Sequence, residues 1–181
     1  MRTSDDVLYF CLGRRDLQIR TFQGIEDRDS FDPLVIRTDY RDDQAWEVVK
    51  SALAEPFGDF KNPAAWIVDD PSWSDVNVDE ALEAFHANDS LVEKSAPVFF
   101  LADQLTMQSG HHALMAVSTV TQDDFEDEEE YEEAMAYGRT FRATPHGVHM
   151  IHVNLETVNM DFEEFAAMAD EDDEDIYRHE D

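Results

Sequence analysis

LVIRTDYRDDQAW, residues 34–46, runs from a short apolar segment through Arg37-Thr38-Asp39 into a cluster of acids and then into Ala45 and Trp46. A compact β-branched run bounded by turn residues reads as a buried strand. Asp42 or Asp43 then caps a helix whose Ala45, Trp46, Val49 and Leu53 recur at the i, i+3, i+4 spacing of one apolar face, with Val48 and Ala52 beside them. Pro56 and Gly58 end that helix. The pattern recurs: AAWIVDD ends at Asp69-Asp70, and PVFFLAD ends at Asp103. Between these two strands, Asp75 or Asn77 opens a helix with Val78, Leu82 and Phe85 on one face.

Strand, helix, strand, helix, strand predicts adjacent parallel pairing with right-handed crossovers. ALMAVSTV and RTFRAT follow as a fourth and fifth strand, joined by loops and therefore expected to be antiparallel. Asp161, with Glu164 three residues on, opens a last helix in NMDFEEFAAMA, with Phe162, Phe165, Ala166 and Ala169 as its buried stripe. VLYFCL and LQIRTF around Gly13 to Asp16 read as a β-hairpin. The predicted fold is a single three-layer α/β domain with a mixed, mainly parallel sheet plus an N-terminal hairpin. Residues 1–31 are hairpin and linker, 32–169 the domain, and 170–181 an acidic, frayed tail.

With 43 acids against 13 bases, the chain carries a formal charge of −30. Such a surface repels nucleic acid and anionic membrane, and suits a basic partner or a salty medium. The bases are mainly arginine, with lysine only at positions 50, 61 and 94. A single cysteine, Cys11, excludes an internal disulfide and a cysteine-based zinc site. With no run of about 18 apolar residues and an acidic start, neither a membrane span nor a signal peptide is expected, and a cytoplasmic location is.

Ligands of open parallel sheets bind beyond the carboxyl ends of the strands. Asp39, Asp69, Asp70 and Asp103 fall there, and converging carboxylates suit a hard cation such as Mg²⁺. The competing reading is that these aspartates accept backbone N–H bonds at the following turns. Asp39 stands apart because Asp42 or Asp43 already supplies the cap. It is expected to orient Arg37 or a neighbouring loop. Arg37, Arg139 and Arg142 are candidate anion-binding residues, since a guanidinium grips phosphate or carboxylate in two places. His111-His112 and His146, His149 and His152 lack metalloprotease spacing, and Gly147 weakens a helix there, so surface or partly buried structural histidines are expected. No phosphate-cradling or nucleophile-elbow motif occurs, and no cofactor is expected.

The blocks LVIRTDYRDDQAW, WIVDDP, FFLAD, GRTFRATP and VNLETVNMDFEEFA occur in an order that resembles an actinobacterial domain-of-unknown-function family. Its pattern is R-T-D-[FY]-x-D-D-x-x-W, V-D-D-P, a later x-A-D, G-R-T-F-R and an N-x-x-x-A-N-M-D-F-E-[ED]-F-like block. The resemblance spans about residues 32–169. It implies a small soluble α/β domain and does not imply an activity. The hairpin and the segment 123–133, with nine acids in eleven positions, look like additions to that pattern.

Two functions fit. One is a small acidic protein-binding module, of the immunity-protein or inhibitor and mimic kind, recognising a basic protein partner. The other is a metal-dependent hydrolase or phosphoryl-transfer enzyme working through the strand-end aspartates. The segment 123–133 is the mimic's candidate surface, against a plain solvated loop.

Overall fold

The computed structural model describes residues 20–56, 61, 63–93 and 96–179. The predicted hairpin and Cys11 lie outside these residues, apart from 20–22. Among the described residues, six strands form one sheet: β1 (Leu34–Arg37), β2 (Trp66–Val68), β3 (Val98–Ala102), β4 (Leu114–Ser118), β5 (Thr140–Ala143) and β6 (Ile176–Tyr177), in the order β2-β1-β3-β4-β5-β6. β1 lies parallel between β2 and β3, as the three aspartate-ended runs predict. β4 is antiparallel to both β3 and β5, and β6 joins β5 in parallel.

The sheet is buried on both faces, which is why its central strands read as unbroken apolar runs. Side chains alternate between the faces. Val35, Val98, Phe100 and Ala116 enter one core, with α1 (Asp43–Leu53), α6 (Pro145–Glu156) and α7 (Phe162–Asp170). Leu34, Ile36, Phe99 and Val117 enter the other, with α2 (Val78–His86) and α3 (Asp89–Glu93). The architecture is therefore three layers around one mixed sheet. Trp46 is 1% exposed and Phe162 is buried, each on the expected stripe. Val48 stands exposed beside that stripe.

Four segments depart from the sequence reading. The loop after β3 contains α4 (Gln104–Gln108), opened by Asp103, whose carboxylate accepts from Thr106 N–H at 3.0 Å. The acidic segment is not an open loop: Asp127 caps α5 (Glu128–Ala134) by accepting from Glu130 N–H at 3.0 Å. Residues 145–156, where Gly147 weakens the case for a helix, form α6, where Pro145 takes the first turn without leaving a donor unpaired. Residues 171–179, expected to fray, turn back and add β6 to the sheet edge.

α6 also corrects the histidines. His149 and His152 are buried. His149 Nε2 lies 2.8 Å from Leu53 O and His152 Nε2 lies 2.7 Å from Ser30 O. Each helical turn thus sends one imidazole to a backbone carbonyl of a neighbouring segment. His146, at the exposed end, sits 2.7 Å from Glu55.

Candidate functional site

β1 leads through α1 to β2 on one side, while β3 lies on the other, so the ends of β1 and β3 form the topological switch point. Backbone bonds close the gap there. Thr38 and Asp39 both donate their N–H to Ala102 O, at 2.9 and 3.3 Å. The carboxylate of Asp39, 3% exposed, turns inward beneath Arg41. It accepts from Arg41 N–H at 2.8 Å and from Arg41 Nε at 3.1 Å, and an ion pair to the outer guanidinium nitrogen completes the grip. Those bonds hold the Asp39 carboxyl below the usual carboxylate range, against the opposing effect of burial.

Arg37 and Asp39 do meet, though not as a pair of charged side chains. Arg37 Nε donates to the backbone oxygen of Asp39 at 2.9 Å. Its other nitrogens reach Asp43 at 2.6 Å and Asp69 at 3.4 Å. The buried guanidinium lies 4.4 Å from the Tyr40 ring centroid and 5.4 Å from that of Trp46. Trp46 Nε1–H donates to the second oxygen of Asp69 at 2.8 Å. β1, α1 and the end of β2 are therefore locked through one cation, two carboxylates and two aromatic rings. Tyr40 Oη is buried in this cluster beside the backbone of Asp70. Burial and the Asp69 charge push its ionisation well above the ordinary tyrosine range.

Asp70 faces solvent and caps the turn Pro71–Trp73, accepting from Ser72 N–H at 2.8 Å. Asp103 is held by Arg142 through two bonds, at 2.8 and 2.6 Å. The strand-end acids thus fall into separate clusters. Asp39 pairs with Arg41, Asp69 with Arg37, and Asp103 with Arg142, while Asp70 serves a turn. Among the described residues, no group of three or more His, Cys, Asp or Glu side chains is placed to hold a metal ion. The geometry builds a scaffold of ion pairs, in which each guanidinium is already engaged with a carboxylate of the fold.

Arg139 lies elsewhere. It donates to Ser118 O at 3.2 Å and Val120 O at 2.8 Å, and to Tyr131 Oη at 2.9 Å. It thereby fastens α5 to the end of β4. The acids that α5 presents have no such partner: among the described residues, none of positions 123–133 forms an ion pair with a basic side chain. Arg41 and Tyr40 escaped the sequence reading although they stand inside the opening stretch. Strand alternation directed attention to Arg37, and only the turn after Thr38 brings Arg41 over Asp39.

Residues 32–180 match the family model described as "Domain of unknown function (DUF6924)". The match includes both the α5 segment and the β6 turn. No curated protein and no solved structure matches the chain.

Proposed function

We propose that this chain, which belongs to the DUF6924 domain family, acts as a small acidic binding module for a basic protein partner. One observation carries the reading: the acid-rich segment is folded, capped by Asp127 and anchored by Arg139, yet its carboxylates lack basic partners among the described residues. A solvated loop would spread that charge over many conformations. A helix fixes it in space, so less ordering entropy is lost on binding. Complementary charge would speed encounter and reject acidic competitors. The enzyme reading draws less support. Its aspartates are held by arginines or spent on caps, and Arg37, Arg139 and Arg142 are occupied within the fold.

The test compares two triple variants in binding to a panel of small basic proteins at rising salt. In one, Glu129, Glu132 and Glu133 of α5 become Gln. In the other, the exposed Asp79, Glu83 and Glu93 on α2–α3 become their amides. Affinity should fall selectively in the α5 variant, and more steeply with salt in the native chain than in that variant. Equal losses in both would reduce the effect to net charge and sink the proposal, as would no association at low salt.

A further inference from the structure

At the end of the sheet opposite the aspartates, where Pro97 enters β3 and Ser118 leaves β4, a cavity of about 440 Å³ opens beneath α5. That size falls in the range of ligand pockets. Phe125, Met135, Leu155, Met160 and Phe162 supply apolar walls. Glu130 and Glu133 from α5, with Asp161 and Glu163 from the start of α7, rim it. Among the described residues, none of these four acids has a basic partner.

An acidic rim alone says little in so acidic a chain. The second observation is Ser118, which is 0% exposed, lines the cavity and has no hydrogen-bond partner for its Oγ among the described residues. Its register partner is Val98, a member of the core beneath α6 and α7, so the hydroxyl lies on the cavity's side of the sheet. A buried hydroxyl ordinarily finds a partner in the fold. Here the fold leaves the group unpaired against the wall of a cavity rimmed by negative charge. Burial, together with Glu133, Asp161 and Glu164, also holds the Glu163 carboxyl above its ordinary range, the strain of crowded like charges that a cation would relieve.

An occupant must therefore carry positive charge at its tip, several donors and an apolar stem. We propose that the cavity seats an arginine side chain of a basic partner polypeptide, its guanidinium donating to Ser118 Oγ and to the rim carboxylates of Glu133 and Glu163. Arginine suits this better than lysine, because its planar fork offers five donors and stacks on aromatic faces such as Phe125 and Phe162. The partner's apolar neighbours rest on Met135 and Met160, side chains that adapt to irregular surfaces. This inference rests on the binding-module reading and localises it.

The probe is a labelled decapeptide of alternating leucine and arginine, compared with a leucine–glutamine counterpart and with n-butylguanidinium. Binding is followed by anisotropy and by amide shifts in nuclear magnetic resonance. The arginine peptide should shift Ser118, Met135 and Glu163 in a saturable way, and the glutamine peptide should not. Glu133→Gln with Glu163→Gln should weaken it about tenfold or more, as expected for losing charge-assisted bonds. Glu128→Gln with Glu132→Gln, on α5 but outside the cavity, should weaken it less than about twofold. Ala134→Phe, which fills the cavity from α5, should abolish the Ser118 shift. If that variant melts early, the charge variants decide alone. Equal losses in the two double variants, with no Ser118 shift, would overturn the cavity while leaving the acidic module standing. No peptide binding would overturn both. Butylguanidinium binding as tightly as the peptide would make this a small-cation site and overturn the polypeptide assignment.

Discussion

Arg142 closes on both oxygens of Asp103, across 39 residues of chain, and ties the middle of β5 to the turn that follows β3. Burial alone would raise the Asp103 carboxyl. The Arg142 bonds and charge, with Thr106, carry it below the ordinary range. The side chains are 25% and 17% exposed, so either partner left alone would be poorly solvated. Arg142→Gln should cost about 2–3 kcal/mol, and a cycle with Asp103→Asn should recover about 1–2 kcal/mol as coupling. A depressed carboxyl contributes stability above its unfolded value of about 3.9 and loses it as pH falls through the folded value. Urea melts of the four proteins at pH 7 and at falling acidic pH check both statements: the coupling should shrink as Asp103 protonates.

His152 gives a second pH dependence at higher pH. Burial pushes its imidazole down to about 4, with Arg28 and His149 adding to the shift and the Ser30 carbonyl opposing it. A base held below its unfolded value of about 6.5 contributes its stability above pH 6.5 and loses it as pH falls toward 4. The loss should approach roughly 2–3 kcal/mol. His152→Gln keeps a donor for Ser30 O and does not titrate. Its stability curve between pH 7 and pH 4 should be flatter than that of the native chain, and parallel curves would refute the assignment.

Gly147 packs beneath β6. A Cβ there would lie 2.9 and 3.1 Å from two ring carbons of Tyr177. Alanine's helix propensity favours the change by up to about 1 kcal/mol, but overpacking costs about 1–3 kcal/mol. Gly147→Ala should destabilise the chain by about 1 kcal/mol. In a Tyr177→Leu background the same change should be neutral or stabilising.

Stability should rise with KCl. At a charge of −30, self-repulsion opposes the compact state, and screening acts over about 10 Å at 0.1 M ionic strength. Thermal melts at neutral pH should move upward with salt. A downward shift would mean that the internal ion pairs outweigh the surface repulsion.

Divalent cations should find no tight site at the strand ends. Asp39 is covered by Arg41, and Asp103 by Arg142. Calorimetric titration of Mg²⁺ or Mn²⁺ should show nothing tighter than about 10 μM. Tight binding that disappears in Asp39→Asn would reverse the argument and restore the enzyme reading.

The sequence exposed whatever its own chain decides locally. Buried strands write themselves as apolar runs, so β1, β2 and β3 were readable, as were α1 and α7 from periodicity and the Glu164 carboxylate reaching back to Asp161 N–H. The cap of α1 was readable too, with Asp42 accepting from Ala45 N–H at 2.9 Å. α6 was hidden because histidines occupy its inward face, where hydrophobic periodicity looks for aliphatic residues. Its Pro145 and the Val148, Ile151, Leu155 spacing were the available signals. α5 was hidden by composition, since nine acids obscure a sound Asp127 cap. β6 has two residues and is placed by β5. Which arginine meets which aspartate is set by tertiary geometry, and no local pattern encodes it.

The inward histidines of α6 also bear on rates. His149 meets Leu53 across 96 residues and His152 meets Ser30 across 122. Contacts this distant along the chain become favourable only once the intervening sheet has closed the loops. The expectation is that α6 docks late, after the barrier for the sheet has been crossed. Substitutions at these two histidines should leave the refolding rate nearly unchanged and speed unfolding, which makes α6 the latch governing how long the folded molecule persists.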